Sequence, residues 1–236
     1  MCGRYRLSRR KQILAEHFDA VPFEDDWEPR YNIAPTQPVP VKRQTPNFRE
    51  LALMRWGLIP SWATDPSIGF KTINARSETI TTTASFRDPI RTRRCLIPAD
   101  EFYEWSRNGR SKHRTKQPYC VEVGGGEMFA FAGLWDRWID PHGNEIESCT
   151  IITTTANSHM VDIHDRMPVI LPSGAYSSWL NLAMRDSRIA LGWLVPYAGA
   201  MRRYPVSTRI NQVQNDDADC AKPVEADSVP AQSQLF

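Results

Sequence analysis

The sequence predicts an α+β fold, and three observations predict it. Strand-like runs outnumber helical ones, the two kinds do not alternate regularly, and no internal repeat is present. Helical signals are few. Ser8 stands where a cap would open a first helix reaching about Phe18, with Ile13, Leu14 and Phe18 on its apolar side. Pro22, Pro29, Pro35, Pro38 and Pro40 then punctuate a stretch read as extended and loop-rich around RYNIAPTQPVPV. Strands are expected over Glu50 to Trp56, Arg94 to Ile97 and Tyr119 to Val123. The last of these, Gly124 to Gly126, and Met128 to Trp135 read together as a β-hairpin. A further strand is expected over Ser148 to Thr154, and helices after Ser173 and over Asp186 to Leu194. From Asn215 the chain turns polar, acidic and poor in aromatics. The expected organisation is one domain over residues 1–214 and a disordered polar tail over 215–236.

At 236 residues the chain is long enough to bury a substantial core. A net charge of +2 does not by itself mark a nucleic-acid binder. The basic residues do cluster: Arg87, Arg91, Arg93 and Arg94 fall together, as do Arg107, Arg110, Lys112, Arg114 and Lys116. Such runs serve either as solvated faces or as phosphate contacts. The five cysteines (Cys2, Cys95, Cys120, Cys149 and Cys220) form no CxxC pair, and no apolar segment follows the N-terminus. That pattern reads as free thiols in a reducing, cytosolic-type compartment. No run is long and apolar enough to cross a bilayer, and no zinc-type spacing is visible.

The chemistry concentrates at the start. The chain opens Met1-Cys2-Gly3-Arg4, and an initiator methionine followed by so small a residue is normally removed. Cys2 then carries a free α-amine beside its thiol. An α-amine has a pKa of about 7.7–8.0, so a useful fraction is unprotonated near neutrality. It condenses with an aldehyde to an imine, and the neighbouring thiol closes a five-membered thiazolidine. On this residue alone, chance and a frayed terminus are the better reading of Cys2.

Four further segments stand out: RYNIAP from Arg30; WGLIPSW from Trp56, followed by INARSE from Ile73; CLIPADEFYEW from Cys95; and DIHDRMPV from Asp162. Glu104, between Tyr103 and Trp105, is either a poorly solvated carboxylate able to exchange protons near neutral pH or an exposed strand-edge residue. His164 sits between Asp162 and Asp165, with His159 nearby. The spacing is not that of a metal site, and a tuned acid/base or hydrogen-bond donor is the better reading. Asn74 and Arg76 fit either a turn and a surface cation or an amide and a guanidinium facing a phosphate-bearing ligand. Trp56 and Trp62 fit either the core or a wedge against a splayed base.

Taken in order, MCGR, RYNIAP, WGLIPSW, INAR, FYEW and IHDRMP resemble the SOS response-associated peptidase (SRAP) family, from the N-terminus to Pro205-Val206-Ser207. The resemblance implies a single mixed α+β domain with a central barrel-like antiparallel sheet and flanking helices. It implies crosslinking of Cys2 to abasic sites in single-stranded DNA. Asn74 would contact the sugar and the terminus, Glu104 would move protons during ring opening and imine formation, and His164 would steady the opened sugar oxygen. Arg4, Arg76 and Arg166 would grip the DNA backbone, and the segment holding Trp56 and Trp62 would wedge against bases. Self-processing as a thiol peptidase and a minor lyase activity are also implied. A monomer, no membrane, no metal and no cofactor are expected, with a cytoplasmic, nucleoid-associated location. The rival from the residues is an N-terminal nucleophile amidohydrolase, glutaminase-like, with Cys2 attacking an amide.

Overall fold

The computed structural model describes residues 2–106, 116–181, 183 and 187–225. The basic run from Arg107 to Arg114 and the last residues of the expected tail lie outside the described residues. In chain order the elements are β1 (Tyr5–Leu7), α1 (Lys11–His17), β2 (Arg30–Ile33), β3 (Pro38–Gln44), β4 (Arg49–Trp56) and β5 (Asn74–Arg76). They continue with α2 (Pro89–Thr92), β6 (Arg94–Ala99), β7 (Glu101–Trp105), β8 (Pro118–Val123), β9 (Phe129–Ile139) and β10 (Glu145–Thr155). The last are β11 (Arg166–Pro168), β12 (Ile170–Leu171), α3 (Tyr176–Trp179), α4 (Ser187–Leu191) and β13 (Met201–Pro205).

Five strands close on themselves in the order β10-β4-β3-β6-β9 and back to β10. Closure leaves those strands no free edge except where β3 and β6 meet only at Lys42. The β4–β10 pairing is parallel and the other four are antiparallel. At Gly133, β9 is registered with Cys95 on one side and Ile151 on the other. A Cβ there would stand 2.9 Å from the Cys95 Sγ and from the Ile97 side chain, so the tight wall of the barrel requires glycine. A second sheet, β13-β8-β7-β1-β2, is antiparallel throughout. The α+β architecture with a barrel at its centre agrees with the sequence.

The two sheets are nearly one ribbon at Asp100, the single residue between β6 and β7. Its buried carboxylate accepts from the Ser8 N–H (2.7 Å), the Ser8 hydroxyl (2.8 Å) and Arg9 Nε (3.2 Å). Ser8 is therefore bound to the sheet crossing and does not cap α1, whose N-terminal flank is Arg10 with no side-chain cap.

Three other expectations are corrected. First, the hairpin across Gly124 to Gly126 does not form: β8 pairs with β7 and β13, whereas β9 pairs with β6, β10 and β12. All three glycines have positive φ (60, 78 and 88°), and the turn hands the chain from one sheet to the other. Second, the proline-rich RYNIAPTQPVPV stretch holds two strands, β2 and β3. Pro38 and Pro40 precede Lys42, where β3 is registered with β6, so their missing N–H groups fall where that edge is open. Third, the chain does not become a tail at Asn215. The Asp216 carboxylate accepts from the backbone N–H groups of Tyr31 (2.5 Å) and Asn32 (2.7 Å) and pairs with Arg30. Cys220 is fully buried, and Val206 bridges to Pro223. The polar composition that reads as disorder is spent on capping β2.

A chain ended at Gln214 loses these bonds and strands two backbone donors. Bonds to a charged group are worth about 1.5–3 kcal/mol each, so the truncation should cost roughly 3 kcal/mol or more. Asp216→Ala should reproduce most of that loss in urea unfolding, and unchanged midpoints in both would mean the brace carries no stability.

Candidate functional site

The predicted site residues fall on the two sheets as two groups. On the antiparallel sheet, β1 runs against β7 with Tyr5 opposite Phe102, and the Tyr103 N–H donates to the Arg4 carbonyl at 3.0 Å. Continuing that register sets Gly3 opposite Glu104. Cys2 and Glu104 are both buried. The Cys2 thiol is pushed far above its ordinary range, first by burial and then by the Glu104 carboxylate beside it. The thiol is thus held neutral. Glu104 is a buried carboxylate, as one of its two sequence readings had it.

Arg4, half-buried, is held by Asn32 Oδ1 and the Ile210 carbonyl, each 2.8 Å from Nη1. Asn32 in turn donates to the carbonyls of Ile210 (3.2 Å), Gln212 (3.0 Å) and Asn215 (2.7 Å). The asparagine of RYNIAP is therefore a brace for Arg4 and for the C-terminal segment. Its burial, invisible in a turn-like motif, is why its role was not read from the sequence.

On the barrel, β5 lies parallel to β10 with Asn74 opposite Ile151 and Arg76 opposite Thr153. The Asn74 amide nitrogen points at two carbonyls, Ile73 (3.0 Å) and Ile151 (3.5 Å). Only the NH2 end can face two acceptors, so Oδ1 is turned the other way. That oxygen is buried and has no hydrogen-bond partner among the described residues. Buried acceptors of this kind are rare enough to mark a ligand-facing group.

Across β10, β11 brings Arg166 opposite Thr155. Arg166 donates to the Thr153 carbonyl (2.7 Å) and pairs with Glu78 (2.5 Å). Glu78 is half exposed and the pair correspondingly weak, about 0–1 kcal/mol, so an arriving phosphate can replace it. His164 Nδ1 lies 2.9 Å from the Arg166 backbone nitrogen and 3.0 Å from Asp165 Oδ1. One nitrogen cannot accept and donate at once. The backbone donor is fixed and the Asp165 side chain is largely exposed, so Nδ1 accepts and the ring proton sits on Nε2. His164 can then donate through Nε2.

Arg76 is exposed. The two tryptophans separate. Trp62 is 56% exposed and keeps the wedge reading. Trp56 is corrected: it is fully buried, its indole N–H donates to the Ile73 carbonyl at 2.9 Å, and it has no face to offer a base. The structure exposes a second aromatic ring nearby in sequence that the sequence did not mark. Phe70, 63% exposed, lies under the Arg55 guanidinium at 5.6 Å. Gly57 and Gly69 lock their loop, since a Cβ on Gly57 would stand 2.5 Å from the Gly69 carbonyl oxygen. Phe70 ends a single 3-10 turn, Pro66–Phe70, too short to show a periodicity, so its exposure left no trace in the pattern.

The family model described as SOS response associated peptidase (SRAP) matches residues 1–213. The chain is 42% identical over 222 residues to the abasic site processing protein YoqW of Bacillus subtilis, covering 93% of this chain and 98% of that protein. It is 36% identical to the abasic site processing protein HMCES of Gallus gallus, covering 86% of this chain and 68% of that one. Among solved structures, a protein from Bacteroides thetaiotaomicron superposes with a TM-score of 0.85 at 27% identity, over 95% of this chain and all of that one.

The pairing of Cys2 with Glu104 has a measurable signature. Removing the carboxylate in Glu104→Gln should lower the pH at which the Cys2 thiolate appears. Burial, the larger cause, should still hold it above an ordinary cysteine. The thiolate absorbance of each protein minus that of its Cys2→Ser counterpart reads this directly, and an unchanged or raised onset would separate the two groups.

Proposed function

The chain belongs to the SOS response-associated peptidase (SRAP) family, and from that premise we propose that it captures abasic sites in single-stranded DNA as a covalent thiazolidine on Cys2. The observation that carries the reading is the pairing of the N-terminal Cys2 with the buried Glu104 carboxylate. A thiol peptidase needs the reverse environment, a cation that lowers the thiol pKa. With a neutral thiol, the α-amine is the better first nucleophile: at a pKa of about 7.7–8.0, roughly a tenth of it is free base at pH 7.

The steps balance without an oxidant or a metal. Arg4, Arg76 and Arg166 hold phosphates around the lesion, and Trp62 stacks on a neighbouring base. Glu104 relays a proton as the closed sugar opens to its aldehyde, with the His164 Nε2–H donated to the ring oxygen. The amine of Cys2 adds to the aldehyde carbon, and one water leaves as the C=N bond forms. Asn74 Oδ1 accepts from the amine and orients it. The thiol then adds across C=N, sulfur to carbon and hydrogen to nitrogen. Ring closure removes the imine before it can drive β-elimination, so the strand stays whole. Recognition rests on phosphates and a missing base, so it is sequence-independent. Peptidase activity is confined to processing of the chain's own N-terminus.

Incubation with an oligonucleotide carrying one abasic site should give a heat-stable shifted band on a denaturing gel, with Met1 absent by intact mass. Cys2→Ala should abolish the band. Cys2→Ser, which keeps the amine but loses the thiol, should trade crosslink for strand cleavage. Glu104→Gln should slow capture about 100-fold or more. Absence of the band in a chain that has lost Met1 overturns the proposal and redirects attention to glutamine hydrolysis.

Three phosphate contacts on a single strand set a salt slope, log K against log salt, of roughly −2. Each of Arg4→Ala, Arg76→Ala and Arg166→Ala should flatten the slope by about 0.7 in fluorescence titrations with undamaged DNA. Three unchanged slopes would remove the arginines from the DNA path.

A further inference from the structure

Trp56 closes a break in one of the strands that flank β10. β4 runs parallel to β10 up to Trp56, opposite Cys149, and β5 resumes along the same strand with Asn74 opposite Ile151. Between them residues 57–73 leave the barrel wall and return. The indole of Trp56, the last residue before the excursion, donates to the carbonyl of Ile73, the last residue within it. That carbonyl also accepts from the Ile151 N–H (3.2 Å) and from Asn74 Nδ2 (3.0 Å). On its other side the Trp56 ring meets Tyr5 edge-on, with centroids 5.5 Å apart. Tyr5 lies three residues beyond Cys2 and opens β1, the strand that Cys2 leads into. One buried side chain therefore touches the strand of Cys2 and holds the carbonyl that orients Asn74.

We infer that Trp56 is a positioning residue for capture, setting Asn74 Oδ1 toward the Cys2 strand by fixing the Ile73 carbonyl. The inference rests on the proposed function for its kinetic consequence, while the geometric part stands alone. β5 is only three residues long and, among the described residues, is registered with β10 alone. Without the indole N–H the Ile73 carbonyl keeps two donors, and no bond is left unmet. The loss falls on placement rather than on satisfaction: the return point of the loop is untied, and the Asn74 amide gains other orientations. An interaction that matters to the reacting geometry and little to folding is what a positioning residue requires. Misplacing such a group by about 1 Å can cost on the order of 100-fold in rate.

The test is a double-mutant cycle on the single-turnover capture rate. Trp56→Phe keeps a ring against Tyr5 and removes the N–H. It should slow capture about tenfold in the chain with Asn74 and less than twofold in Asn74→Ala, because its effect passes through Asn74. Affinity for undamaged single-stranded DNA should not change. An equal loss in both backgrounds, or a fall in DNA affinity to match, assigns Trp56 a merely structural role and overturns the inference. Should Trp56→Phe fail to fold, 3-benzothienylalanine at position 56 replaces the N–H with sulfur at nearly constant shape and enters the same cycle. Side-chain amide hydrogen exchange of Asn74 by NMR is read in parallel and needs no DNA. It should be at least tenfold faster once the N–H is gone, and unchanged exchange refutes the inference even if no crosslink ever forms. A wild-type chain that does not crosslink contradicts the proposed function instead.

Discussion

The buried contact of Tyr5 with Trp56, 5.5 Å between ring centroids, is the constraint on which the site depends. It joins two sheets that carry different halves of the chemistry. Cys2, Arg4 and Glu104 belong to the antiparallel sheet, while Asn74, Arg76, His164 and Arg166 are set along β10 of the barrel or just beyond it. The proposed capture draws on both halves. The barrel is closed and its wall is tight at Gly133, so its half is rigid. The other half is fixed to it through Asp100, where β6 passes into β7, and through the rings of Tyr5, Phe102, Phe131 and Trp56. Aromatic pairs of this kind add about 0.5–1.5 kcal/mol each beyond the area they bury. Their larger contribution here is to position.

The electrostatics of the site are consistent with amine-first chemistry. Burial and a neighbouring carboxylate both work against a thiolate at Cys2. In the proposed function the same buried carboxylate carries the proton transfers. The Arg166 backbone N–H occupies Nδ1 of His164. Asn74 presents an acceptor that the protein itself leaves unused among the described residues. If these groups act as proposed, they are placed before a substrate arrives, which would lower the reorganisation needed when it does. The outer contacts are softer. Arg166 is engaged with a half-exposed Glu78, and Trp62 and Phe70 project from a loop pinned by Gly57 and Gly69. Soft outer contacts suit a ligand whose flanking sequence varies.

Taken one by one, Cys2, Asn74, Glu104 and His164 each admitted a structural reading as well as a chemical one, and only the order of their motifs, through the family resemblance, singled them out. The α+β class followed from strand counts. The route of the chain did not. Gly124 to Gly126 looks like a hairpin turn, yet the pairing of β8 and β9 is decided by β7 and β6, which are distant in sequence. Pro38 and Pro40 argue against a strand locally, and only an edge left open there admits them. Asp216 and Asn32 look like loop residues because their composition is polar. Their bonding appears only when residues more than 170 positions apart meet. Trp56 carried the same ambiguity. A tryptophan in a motif with Trp62 looked like a second wedge, but burial made it a brace.

The measurement that bears most directly on this account is the site of attachment. The crosslinked protein is digested with trypsin and the DNA with nuclease, and the adduct is sequenced by tandem mass spectrometry. The account predicts the sugar remnant on the peptide Cys2-Gly3-Arg4, at the sum of the two masses less one water, with both the amine and the thiol unreactive to their reagents. A remnant on a lysine, or on Cys2 through sulfur with its amine still free, would contradict it.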